Sequence, residues 1–79
     1  MRLKCLDQTT AILTADNLLY KLQLSAYQLT ATLLVELDDE LDPILFINKM
    51  VYNNHRILFL TTMLGSLVIY DLNANSLIN

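Results

Sequence analysis

The chain is short of the residues that small proteins use to staple or punctuate themselves: one Gly, one Pro, one Cys and no Trp in 79 residues. A single cysteine, Cys5, excludes an internal disulfide framework and a cysteine-rich zinc site. It reads as an inert, buried thiol near the chain end in a reducing setting, which places the protein inside the cell, in cytoplasm or nucleus. Charge is scarce too, at 16% of residues against about a quarter in an ordinary soluble domain. The five cations, Arg2, Lys4, Lys21, Lys49 and Arg56, are scattered through a chain of net charge −3. With no basic stripe to track phosphates, direct nucleic-acid binding is not expected. Long apolar runs are also missing. The longest uncharged stretches, 22–35 and 57–70, hold 14 residues each, short of the ~20 a helix needs to cross a bilayer. An export signal is not expected either, because Asp7, Gln8, Thr9 and Thr10 interrupt the opening residues.

What is present is apolar side chain. With 54% hydrophobic residues and a mean hydropathy of +0.42, a disordered linker or acidic tail is excluded. Apolar residues recur at every second position: Leu18, Tyr20, Leu22 and Leu24, then Leu29, Ala31, Leu33, Val35 and Leu37, then Ile57 and Phe59. That period belongs to strands with one face buried. Asp16-Asn17, Ser25-Ala26, Asn53-Asn54-His55, Leu64-Gly65-Ser66 and Asn73-Ala74-Asn75 punctuate these runs, with Asn and Asp standing in for glycine at tight turns. The spacing predicts strands over 9–15, 18–24, 29–37, 44–52, 56–63 and 66–72, with a stub at 76–78. The fold class is therefore all-β and antiparallel. Leu18, Leu22, Ala26, Leu29, Leu33 and Leu37 also fit helical steps, so a helix within 17–41 stays open.

A shift of 50 positions lays Tyr20 on Tyr70 and Leu22 on Leu72, each preceded by a polar turn and an aliphatic pair. The stretch Ile57 to Leu72, a strand, a tight turn at Gly65 and an apolar strand ending Tyr70-Asp71, resembles the second and third strands of a WD-repeat blade. Asp42-Pro43 through Tyr52, with the turn Asn53 to Arg56, is similar to the innermost strand of such a blade, and 9–37 resembles the outer three strands of a preceding one. The departures are Tyr70-Asp71 in place of Trp-Asp, Tyr20-Lys21 keeping only the aromatic, and no Gly-His near Asp38-Asp39. The family's His, Ser/Thr, Asp and Trp hydrogen-bond network is therefore not expected in full.

The resemblance implies roughly two blades of a β-propeller in one structural unit, a partial blade over 1–37 and a second over 38–79. Closure takes four to eight blades, so the unit is expected to be incomplete alone and to meet other protein chains or the rest of a longer polypeptide. The function implied is a non-catalytic scaffold in a multi-protein assembly. The competing reading is a small hydrophobic subunit, membrane-associated or helical, using 22–35 and 57–70, although a membrane role is not favoured by their length.

Candidate chemistry is thin. Glu36, Asp38, Asp39, Glu40 and Asp42 put five carboxylates in seven residues, but Pro43 and Lys49 occupy the positions where a calcium loop needs Gly and Glu. The segment reads as a solvated loop, with Asp38, Asp39, Glu40 and Asp42 available to a basic partner. His55 reads as an exposed turn histidine without a carboxylate to orient it. Gly65 reads as a turn residue and not a phosphate cradle. Tyr20, Tyr27, Tyr52 and Tyr70 read as strand and core residues. No catalytic or metal constellation emerges, and no cofactor or enzymatic activity is expected.

Overall fold

A computed structural model describes residues 1–78. Eight strands form in chain order: β1 (Arg2–Cys5), β2 (Thr10–Ala15), β3 (Leu18–Ser25), β4 (Gln28–Glu36), β5 (Ile44–Tyr52), β6 (His55–Thr62), β7 (Leu67–Asp71) and β8 (Ser76–Leu77). The chain is all-β, and β3 and β4 occupy the segment where a helix had stayed open. The strands pair only with their sequence neighbours, giving two antiparallel four-stranded sheets, β1-β2-β3-β4 and β5-β6-β7-β8. The first sheet is thus not short of its leading strand. Arg2–Cys5, unread in the sequence, pairs with β2 from Arg2 opposite Thr14 to Cys5 opposite Ala11.

Asparagine does replace glycine at the turns. Asp16, Asn53, Asn54 and Asn75 all hold positive φ, the region hairpin turns demand. One turn breaks this rule: Ala26 and Tyr27, linking β3 to β4, sit at φ 49° and 65° with no residue suited to them.

The sheets stack face to face. One hydrophobic cluster joins Ile12, Leu19 and Val35 of the first sheet to Ile44, Leu58, Leu60, Tyr70 and Leu72 of the second. The shortest dimension, 16 Å, suits two sheets packed about 10 Å apart. β1 runs beside β5, where the Arg2 guanidinium lies 5.5 Å from the centre of the Phe46 ring and Lys49 Nζ donates to the Leu6 carbonyl at 3.1 Å. At the opposite end the buried Asn17 staples the connection, accepting from Leu37 N–H at 2.9 Å and donating Nδ2 to the Leu37 carbonyl at 2.7 Å.

Register decides which residues reach that core. Leu18, Tyr20 and Leu22 do share a face with Ala31 and Leu33, as their alternation predicts. It is the outer face. The buried residue of β3 is Leu19, opposite Thr14 and Val35, and a register shift between Leu19 and Tyr20 puts Val35 and Leu33 on opposite sides. The second sheet repeats the pattern, with Leu58, Leu60 and Tyr70 inside while Ile57, Phe59 and Ile69 point away from the other sheet.

Candidate functional site

The outer faces are the most distinctive surfaces of the molecule. On the first sheet, Leu3, Cys5, Ala11, Leu13, Leu18, Tyr20, Leu22, Leu24, Leu29, Ala31 and Leu33 are placed together by three successive ladders. Apart from Glu36 opposite Leu18, that face is apolar throughout its ladders, and Leu29 on it is 67% exposed. A shallow groove of about 200 Å³ runs along it between Leu3, Cys5, Leu22, Leu24 and Leu29. Cys5 is therefore exposed and not buried at the chain end. On the second sheet, Met50, Tyr52, Ile57, Phe59, Leu67 and Ile69 share the outer face with the polar Asn48, His55, Thr61 and Asp71. An apolar area as continuous as that of the first sheet is what marks an interaction surface.

The polar groups predicted from sequence divide into three places. Asp38, Asp39 and Glu40 are exposed in the connection between the sheets. Asp39 Oδ1 accepts from the Leu41 N–H at 2.9 Å and shapes this loop locally. Asp42 departs from the solvated reading and is buried. Its Oδ2 accepts from the Thr62 hydroxyl and its Oδ1 from the Leu64 N–H, both at 2.7 Å. Thr62 Oγ1 in turn accepts from Ser66 N–H at 3.0 Å. The carboxylate thus organises the β6–β7 turn around Gly65, whose φ of 94° suits glycine. No histidine joins this carboxylate-to-hydroxyl pair among the described residues.

His55 is also corrected. At the start of β6, its Nδ1 lies 2.6 Å from Asp71 Oδ2, so a carboxylate does orient it. Asp71 Oδ1 accepts from the Asn73 and Ala74 N–H groups at 2.9 and 3.1 Å. The His55 hydrogen bond, and then those backbone donors, hold the Asp71 carboxyl below the usual carboxylate range despite the opposing effect of burial. The pair closes over buried Ile57, beside Tyr52 and Ile78. Nothing in the sequence links position 55 to 71, because the β6–β7 register brings them together.

Tyr20 and Tyr70 occupy the third strand of their respective sheets but meet different fates. Tyr70 is 3% exposed in the core, where burial, and second the Asp71 charge, push its phenol pKa up. Tyr20 stands on the outer face of the first sheet. Tyr27 and Tyr52 are exposed and are not core residues. Among the described residues no three His, Cys, Asp or Glu side chains converge as a metal site. No described helix is long and apolar enough to cross a membrane, which says nothing of strands. Comparison with protein-family models, curated proteins and solved structures finds no match to this chain.

Proposed function

We propose that the chain forms two successive blades of a β-propeller similar to those of WD-repeat proteins, and that it serves as a non-catalytic scaffold for other protein chains. The observation that carries this reading is the position of the strongest apolar alternation. Leu18, Tyr20 and Leu22 face outward, while the residues 50 positions on, Val68, Tyr70 and Leu72, face the core. The same surface is covered in one sheet and open in the other, as in a stack of blades where each covers the next. Solvent accessibility agrees: 5341 Å² for 9.0 kDa compares with roughly 4,900 Å² for a compact monomer. The exposed Asp38, Asp39 and Glu40 loop, held at a fixed position between blades, is the element displayed to a basic partner.

Native-state amide hydrogen exchange tests the stacked-blade part. Ile12 and Leu19 in the first sheet and Leu58, Leu60 and Tyr70 in the second should exchange slowly and through one common opening. Independent opening of the two sheets, or uniformly fast exchange over 57–72, would overturn it. Substituting Asp38, Asp39 and Glu40 together by Asn and Gln tests the display part, through at least a tenfold loss of affinity for a basic peptide or partner with melting unchanged.

A further inference from the structure

The internal repeat says more than that the outer faces are sticky, because it specifies what fits each one. Under the 50-residue shift, the outer-face residues Leu18, Tyr20 and Leu22 of the first sheet correspond to Val68, Tyr70 and Leu72, which line the inner face of the second. The inner-face residue Leu19 corresponds to Ile69 on the outer face of the second sheet. Within the chain, an inner face of the Leu19 kind covers an inner face of the Tyr70 kind. The two outer faces are therefore the same complementary pair, separated only because they lie on opposite sides of one molecule.

Resting on the blade reading, we propose that the outer face of the second sheet in one copy packs on the outer face of the first sheet in another, head to tail. The internal contact between the sheets is the template for the contact between copies. Each face offers on the order of 1,000 Å², given lateral extents of 38 × 27 Å, and a stable contact takes about 800 Å² per partner. A head-to-tail contact repeats until it closes a ring. With two sheets per chain and four to eight blades per propeller, closure takes about two to four copies.

Analytical ultracentrifugation of the full chain tests this, with Leu24→Lys/Leu29→Lys for the first face and Met50→Lys/Leu67→Lys for the second. All four residues are exposed, so circular dichroism and melting should match wild type up to the loss of assembly. The expected result is one closed species of wild type at a whole multiple of 9.0 kDa, both variants at the monomer mass, and their equimolar mixture as a 1:1 dimer. That dimer forms through the one intact pair of faces. Persistent assembly of either variant alone would mean a face pairing with itself and would overturn the proposal. So would an open ladder of growing species, or a wild-type monomer up to hundreds of micromolar. In the last case, a common exchange opening of both sheets would leave the stacked-blade reading standing while the self-assembly falls.

Discussion

Thr14 and Thr10 lie four residues apart on the same buried face of β2, and their hydroxyls are treated differently. Thr10 Oγ1 donates to Gln23 Oε1 at 3.1 Å, whereas Thr14, at 0% exposure, leaves Oγ1 without a partner. A buried hydroxyl without a hydrogen bond costs about 1–3 kcal/mol of desolvation. Thr14→Val removes that cost while keeping the shape and β-branching, so strand propensity cancels. The expected gain is about 1–2 kcal/mol, which for a domain of this size raises Tm by roughly 5–15 °C. Thr10→Val makes the same chemical change on the same face but breaks a made bond, and should cost about 0.5–1.5 kcal/mol. Urea and thermal denaturation of the two variants decide the matter, with the urea slope unchanged in both. If Thr14→Val is neutral or destabilising, or if both variants move in the same direction, the hydroxyl of Thr14 is satisfied in solution and the reasoning fails.

Replacing Ala26-Tyr27 by Asn-Gly should raise stability by about 1–2 kcal/mol, because both residues hold positive φ and the Tyr27 side chain is fully exposed; thermal melting measures it. Asp42→Ala should cost about 2–3 kcal/mol in urea, as the Thr62 hydroxyl and Leu64 N–H lose a buried charged acceptor, and Asp42→Asn should cost less. Asp7 should titrate at about 2 by carboxyl NMR, held down first by the Thr9 N–H and also by the Thr10 N–H. Folding lowers this pKa, so the carboxylate favours the folded state above 3.8 and loses that effect as pH falls through about 2; Asp7→Asn should flatten the acid limb over that window. Asp71, also lowered, acts with the same sign below 3.8, and Asp71→Asn should remove a further part of the slope.

Most strand positions were legible because turns and alternation are local properties. The strand at 44–52 and the two-residue spacer at Asp16-Asn17 appear where the sequence places them, whereas the spacer read as Asn53-Asn54-His55 shortens to Asn53-Asn54 because His55 opens β6. The direction of each face was not legible. With apolar residues at both Leu18 and Leu19, and at both Ile57 and Leu58, either parity can be buried, and the neighbouring sheet decides which. Arg2–Cys5 was missed although Leu3 and Cys5 alternate with Arg2 and Lys4, a signal too short to weigh without its partner β2. Asp42 and His55 were misplaced for a related reason. Both acquire partners 16 to 22 residues away through hairpin registers, and a register shift as small as the one between Ile44 and Phe46 changes which side chains meet.

Nearest-neighbour pairing of every strand also makes the order of synthesis the order of assembly. The first sheet is complete at Glu36, before any strand of the second begins at Ile44. Hairpins form in about 1–10 μs, whereas a ribosome adds the remaining strands at ~5–20 residues per second. A nascent first sheet therefore waits seconds with its inner face bare. Its last strand, β4, carries no proline, lysine or other charge before Glu36 to block pairing with a neighbouring nascent chain. Translation speed through residues 37–77 sets how long that state lasts, so the yield of soluble protein should depend on elongation rate more than on the final stability of the fold.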